Sequence, residues 1–502
     1  MKITNLPCIK ENNVKHLKQE KTQNISKSSN VNSTYGLPNY NSSICFTSKL
    51  IRLGNRGTES ALNLQDKSDL YSFDKEDKSK DIPTSFENCF ADKKTNIVGA
   101  GSIFSNFFLI DEVLDKYFGT RKNIGIFDPK FLNEGSTHNG YPLIPSLDEV
   151  KNGSAFLFSP NRFHTEQIKE LSQRKSLDGV YVDKPMCISR KELKELDKAV
   201  RTSKTPLYFG DYFYFGQIAG LRLMGVPMPY KDSVTITKDN TKDKKFTKSI
   251  EEAIPFFKKD EISAVYCNFK EQGADSLLER PWLRDKKAGG GVLLDLQVHV
   301  SNLLNLMGLE LTDISSVYAG KYICTDSKMP DPYRVLDETD MKTRQRGIFE
   351  PLEIDDVEDA VIVTGKINGN IPAHFEVAQY MENRANNIII EGKNSQRIRI
   401  TIDDFDKKVE LLDKNNKVLA EARSYPRSYS LMLHHAQTYF NDKETNKTPM
   451  FYDVQKKTLQ QIFTIKDIID RQILSRPQMK NVNAYNALLD DDDDEMPESK
   501  IS

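Results

Sequence analysis

The chain is predicted to be an α/β protein in which a parallel sheet, covered on both faces by helices, precedes a second α/β unit built on a large, mostly antiparallel open sheet. Three observations predict this. Compact apolar runs alternate with amphipathic stretches between residues 95 and 209, at the rhythm of strand–helix–strand crossovers. A pair of glycines directly follows the first of these runs. Beyond residue 210 the apolar runs lie close together and are joined by short turns, which favours antiparallel or mixed pairing.

The chain has 502 residues, enough for two domains without requiring a third. Its composition, 38% hydrophobic, 28% charged and 9% aromatic, belongs to ordinary soluble proteins. With 71 Lys and Arg against 72 Asp and Glu, no net field draws it to a polyanion, so no nucleic-acid partner is expected. No apolar stretch approaches the roughly 18 to 20 residues that cross a bilayer, and Met1 to Lys21 lacks the apolar centre of a secretory signal. A cytoplasmic location without membrane partners is expected. The six cysteines are scattered without a CxxC pair, which fits a reducing compartment and implies no structural metal.

Residues 1–90 read as a polar extension, at least partly disordered, with one possible strand at Ile44–Ile51. The first domain is placed at 91–209. Its strands are expected at Thr95–Val98, Ile124–Phe127, Ala155–Phe158, Val180–Val182 and Leu207–Phe209. Phe104, Phe107, Phe108, Val113, Leu114 and Phe118 mark a helix after the first strand, Leu147–Val150 a short helix or turn, and His164–Leu171 another helix. Ser189 and Glu192 have the spacing of a capping box ahead of the stripe Leu193, Leu196, Ala199 and Val200. The second domain is placed at 210–475. It opens with a helical stretch at Ile218–Met224, the strand-like Val234–Thr237 and a polar linker, Lys238–Lys248. Val361–Ile367, Asn368-Gly369-Asn370 and Ile371–Val377 read as strand, turn and strand. Further strands are expected at Ile388–Ile390, Ile398–Ile400 and Val409–Leu412, and closing helices at Ser430–Tyr439 and Val454–Arg471. Residues 476–502 carry the run Asp490–Glu495, a self-repelling, solvated tail.

Gly99 and Gly101 stand where a phosphate-binding turn needs backbone free of side chains, and the helix start that follows, Ser102 and Ile103, offers unpaired N–H groups to an anion. The third glycine of the usual pattern is replaced by Phe104, so a looser approach of helix to sheet is expected. Asp128 ends the next strand, 27 residues after Gly101, where a carboxylate accepts bonds from ribose hydroxyls and repels a 2′-phosphate. This favours NAD, with NADP kept open by Lys130. Equally, Asp128 reads as a turn former ahead of Pro129.

Two further segments carry polar residues at places suited to chemistry. Asp183-Lys184-Pro185 follows a strand at the carboxyl edge of the parallel sheet. After Gly289-Gly290-Gly291, Asp295 and His299 are four apart and share one face if that stretch is helical. Taken separately, each residue also has an ordinary structural reading as a buried histidine, a cap or an ion pair.

Together, in this order, these segments resemble the family of glucose-fructose oxidoreductase, inositol dehydrogenase and biliverdin reductase-like proteins. Its hallmarks are a Rossmann dinucleotide-binding domain, a Glu-Lys-Pro motif near that domain's end, and a Gly-Gly-x-x-x-Asp-x-Gly-x-His helix in the second domain. Phe158-Ser159-Pro160-Asn161-Arg162-Phe163-His164 is similar to the family's cofactor-side strand end, and Pro281-Trp282-Leu283-Arg284 to a segment ahead of the glycines. The likeness runs from about residue 95 to about 473. The chain departs at Asp183 for Glu, Gln297 for Gly and Phe104 for Gly. The resemblance implies Lys184, Asp295 and His299 as catalytic residues. It implies Gly99, Gly101, Ser102, Ile103, Asp128, Ser159, Pro160, Asn161, His164, Asp183 and Lys184 at the cofactor. It further implies hydride transfer between a nicotinamide cofactor and a small polar substrate, a sugar-like or cyclitol alcohol or carbonyl, in a homodimer or homotetramer formed through the C-terminal sheet. In that reading Lys184 holds the reacting oxygen, His299 exchanges the proton and Asp295 orients the substrate or His299. The alternative is a nicotinamide-binding sensor or scaffold that performs no turnover.

Overall fold

A computed structural model describes residues 93–101, 104, 118, 121–226, 234–238, 259–271, 281–324, 347–379, 385–402, 408–424, 428–442 and 446–475. The N-terminal extension with its possible strand at 44–51, Ser102 and Ile103 with most of the first helix, the polar linker beyond 238, and the acidic tail lie outside the described residues.

The first sheet contains β1 (Thr95–Val98), β2 (Ile124–Phe127), β5 (Gly153–Leu157), β6 (Leu177–Val182) and β7 (Leu207–Phe209), with the small hairpin β3 (Thr137–His138) and β4 (Tyr141–Pro142) between β2 and β5. All its pairings are parallel and its order is β2-β1-β5-β6-β7. Near-continuous burial along these strands explains why they read as unbroken apolar runs, since helices cover both faces. Helix α1 (His164–Leu171) follows β5 and α2 (Arg190–Arg201) follows β6. The predicted cap is present in modified form. Ser189 Oγ accepts from the Glu192 N–H at 3.2 Å, but the Glu192 carboxylate reaches the N–H of Ile188, one residue beyond the expected partner, at 2.9 Å. The same carboxylate accepts from Thr165 on α1, so the cap also ties the two helices together.

After the short helices α3 (Phe213–Gly216) and α4 (Ile218–Leu223), the chain builds a second sheet from β8 (Val234–Lys238), β9 (Ile262–Lys270), β10 (Leu311–Cys324), β11 (Gly347–Pro351), β12 (Ala360–Ile367), β13 (Ile371–Ala378), β14 (Ala385–Gly392), β15 (Arg397–Thr401), β16 (Lys408–Leu412) and β17 (Val418–Ser424). Its order among the described residues is β11-β10-β12-β13-β9-β14-β15-β16-β17-β8, with the β13–β9 pair parallel and the rest antiparallel. The predicted turn at 368–370 is tight because Asn368 and Gly369 both adopt positive φ. One face of this sheet buries Val265, Cys267, Phe269, Val361, Val363 and Phe375. The other carries exposed Tyr266 and Tyr318 and a ladder of ion pairs, Lys270–Glu376, His374–Glu376 and Arg399–Glu410.

Between β9 and β10 lies α5 (Val298–Leu306), preceded by a wider π-helical turn at Leu293–Gln297. The closing helices α6 (Ser428–Asn441) and α7 (Tyr452–Ser475) return to the first sheet. Phe440 of α6 packs where Gly179 of β6 has no side chain, Met450 pairs with β7 beside Leu207 and Phe209, and Lys456 of α7 bonds Asp197 of α2. One apolar cluster therefore runs continuously from the first sheet to the second. No described helix is long and apolar enough to cross a membrane.

Candidate active site

The carboxyl ends of β1, β2 and β5 meet at Gly99. Its N–H donates to Phe127 O at 2.8 Å, it has φ +91°, and a Cβ there would lie 2.4 Å from Ser159 N. Only glycine lets the two chain segments approach so closely. Gly101, by contrast, is exposed, and a Cβ there would meet nothing within 4 Å among the described residues, which leave the outer side of the turn clear. The neighbours of β1 follow it on opposite sides, which makes this the crevice where open α/β sheets bind ligands.

Of the two sequence readings of Asp128, the turn former ahead of Pro129 is the one seen directly. Its Oδ1 accepts from Lys130 N at 2.9 Å, capping the short helical turn that begins at Pro129, and its Oδ2 accepts from Ala100 N at 2.8 Å, within the glycine turn. A carboxylate has further lone pairs, so accepting from a ribose remains chemically open to it. Phe104 is fully buried, with its ring centroid 6.0 Å from His138 and 6.1 Å from Tyr141, so it packs towards the β3–β4 hairpin.

Ser159, Pro160 and Asn161 cross the end of β5. Ser159 Oγ donates to Gln167, and the Asn161 amide reaches Gly289 O at 3.4 Å, joining the parallel sheet to the glycine run of the second unit. His164 is buried with its two ring nitrogens 2.8 Å from Pro185 O and Ser159 O. Its ring is a strut between the end of β5 and the Lys184–Pro185 peptide, which is cis. Asp183 is also buried and accepts from Tyr181 OH at 3.2 Å. Burial pushes its carboxyl up to about 7, against the opposing charge of Lys184.

Lys184 and Asp295 come together. Lys184 Nζ donates to Asp295 O at 2.7 Å and lies 3.4 Å from Asp295 Oδ1. Asp295 and His299 are held by the segment that starts at the three glycines. Gly290 is obligatory there because a Cβ would lie 2.3 Å from Leu283 O. The second carboxylate oxygen of Asp295 accepts from Gln379, just past β13, at 3.3 Å.

His299 Nδ1 lies 2.8 Å from Asp211 Oδ1, and the Asn302 amide donates to Asp211 Oδ2 at 2.9 Å. The expected orienting role of Asp295 towards His299 therefore has a rival in Asp211, while Asp295 engages Lys184 and Gln379. Burial lowers the pKa of His299 below its ordinary 6.5, outweighing the pull of Asp211. Burial alone would raise Asp211, but the charge and hydrogen bond of His299, together with the Asn302 amide, hold it below its ordinary range. A buried neutral imidazole beside an ammonium and two carboxylates is suited to moving one proton to or from an oxygen.

Sequence reasoning missed Asp211, Asn302 and Gln379. Asp211 stands two residues past β7, as Asp183 stands just past β6, so its position at a parallel-strand end was the available signal. Asn302 lies one turn after His299. Nothing local distinguished Gln379. Among the described residues no cluster of His, Cys, Asp or Glu is placed to hold a metal ion.

No protein-family model and no curated protein matches the sequence. Solved structures do. An aldose-aldose oxidoreductase from Caulobacter crescentus superposes with a TM-score of 0.51 at 14% identity, covering 76% of this chain and 98% of that one. The chain has this fold. A levoglucosan dehydrogenase, in complex with NADH and levoglucosan, matches with a TM-score of 0.50 at 14% identity over 76% of this chain and 97% of its own. The WlbA dehydrogenase from Chromobacterium violaceum, in complex with NADH and UDP-GlcNAcA, gives 0.50 at 15% identity over 76% and 94%. The architecture predicted from the sequence, a Rossmann sheet followed by a large, mostly antiparallel sheet, is the one observed.

Proposed function

We propose that the protein is a nicotinamide-dependent oxidoreductase acting on a small, polar, sugar-like or cyclitol alcohol or carbonyl, and that it uses Lys184, Asp295 and His299. The observation that carries this reading is the meeting of Lys184, from the edge of the parallel sheet, with Asp295 on the segment that continues into His299. The residues present fit a dinucleotide. The open side of Gly101, the close approach at Gly99 and the carboxylate of Asp128 lie together at the sheet's switch point, and Asp128 favours NAD over NADP. Ser159, Pro160 and Asn161 border the same crevice, His164 ties the end of β5 to the Pro185 carbonyl next to Lys184, and Asp183 directly precedes Lys184. When bound, a nicotinamide would supply or accept hydride. Lys184 would hold the reacting oxygen with its ammonium, Asp295 would orient the substrate through a carboxylate steadied by Gln379, and His299 would exchange the proton. The structural neighbours in complex with NADH and a sugar or sugar nucleotide support the substrate class.

Separate measurements of hydride transfer and of cofactor affinity test the roles. Lys184→Ala and His299→Ala are each expected to slow turnover by roughly 10²- to 10⁴-fold while NADH affinity changes little. Unchanged turnover in both, or tight cofactor binding with no reaction across a panel of sugars and polyols, would overturn the reading, the second result in favour of a sensor. Self-association through the second sheet is supported by Tyr266 and Tyr318, exposed on one face of it, and sedimentation of the full chain tests that. A cytoplasmic location belongs to the same reading, and fractionation checks it.

A further inference from the structure

We propose that Asp211 is a positioning residue that holds His299 in the Nδ1–H tautomer, so that Nε2 is the ring atom that exchanges the substrate's proton. The inference rests on the reading of His299 given above. Asp211 is fully buried, and its oxygens are both committed. Oδ1 accepts from Phe213 N at 3.0 Å and faces His299 Nδ1 at 2.8 Å, while Oδ2 accepts from Asn302 at 2.9 Å.

An ionised carboxylate can only accept, so the bond to His299 requires the hydrogen on Nδ1. Nε2 is then the lone-pair nitrogen, and among the described residues it has no hydrogen-bond partner. Rotation of the carboxylate would break at least one of three bonds. Rotation of the imidazole is opposed by edge contacts with Phe213 at 4.3 Å and Tyr212 at 5.4 Å between ring centroids. Asn302 stands one helical turn after His299, so a single helix, α5, presents both donors to the same carboxylate.

Other groups surround the pair. Lys184 disfavours an imidazolium, Asp295 favours one, and Asp183 acts on Asp211 from the neighbouring strand end, with the buried Tyr214 hydroxyl also near Asp211. With a nicotinamide bound, oxidation would break the alcohol O–H bond with its proton going to Nε2, and the oxidised nicotinamide would accept the C–H bond's electron pair as hydride. Asp211 remains ionised throughout and offsets the charge of the imidazolium.

The test is ¹⁵N spectroscopy of the imidazoles in the full chain, whose seven histidines are few enough to separate, with His299 assigned from its loss in His299→Gln. The wild type should show His299 protonated at Nδ1 and bare at Nε2. Asp211→Asn, whose amide can donate to Nδ1, should move the hydrogen to Nε2 and lower kcat by roughly 10²- to 10⁴-fold with NADH affinity unchanged. Asp211→Glu should restore the tautomer and part of the rate. If Asp211→Asn does not fold, Asn302→Ala keeps the carboxylate but removes a competing donor, and should raise the pH at which His299 titrates. An Nε2–H tautomer in the wild type, or a His299 that neither variant alters, would overturn the proposal. The expected tautomer in a protein that turns over nothing would instead overturn the enzymatic reading beneath it.

Discussion

Asp183 shows how a single residue at the sheet edge trades stability for position. Its carboxyl titrates near 3.8 when unfolded and at about 7 in the folded protein, where burial dominates. Between those values the folded state binds the additional proton, so this residue's contribution to stability falls as pH rises from about 4 to 7 and is constant above. Asp183→Asn keeps an acceptor for Tyr181 and removes the titration. Denaturant unfolding should therefore show the variant gaining about 3 kcal/mol relative to the wild type between pH 5 and pH 8. His299 has the opposite sign. Its lowered folded pKa means that its neutral form is the native one, and acid below 6.5 acts against it. In the oxidative direction the acid limb of kcat/KM is expected below pH 6.5, which a pH–rate profile checks.

Among the elements, the glycine segment leading into α5 is the most exacting. Gly290→Ala would place a methyl group 2.3 Å from the backbone oxygen of Leu283, which has no side-chain freedom with which to yield. A loss of about 3 kcal/mol is expected in denaturant unfolding. Gly101→Ala is the contrasting case. A methyl group there meets nothing within 4 Å among the described residues, so stability should change by less than about 0.5 kcal/mol while NADH titration reports weaker binding. Ser189→Ala removes the cap of α2, at a cost of about 1 kcal/mol. The strands and α2 were legible in the sequence because their burial repeats follow local periods. The bond of Glu192 to Thr165 of another helix was not legible, because no local pattern encodes a contact between helices.

Across the whole molecule, the chain's end is stitched to its first sheet. His435 of α6 bonds Tyr208 of β7 at 2.8 Å and packs against Phe215, and burial lowers its pKa to about 4. Its folded value lies below the unfolded 6.5, so this contribution is present above pH 6.5 and is lost as pH falls towards 4. Allowing for the solvent that reaches part of the residue, the loss is about 2 kcal/mol. His435→Gln retains an acceptor for Tyr208 without titrating, and its stability should fall less than that of the wild type between pH 6.5 and 4. Asp183 acts in the other direction over the same range, which is why the comparison must be between variant and parent.

Local spacing by itself determined the alternation of strands and helices and the glycine turn, because each depends on residues a few positions apart, while the candidacy of Lys184, Asp295 and His299 came from the ordered combination of motifs that resembles a known family. Tertiary structure alone decided that Lys184 bonds Asp295, that Asp211, itself bonded by Asn302, holds His299, and that α6 and α7 close over the first sheet. Those partners are separated by long stretches of chain in most cases, and their pairing is set by packing and burial, which no short-range pattern carries.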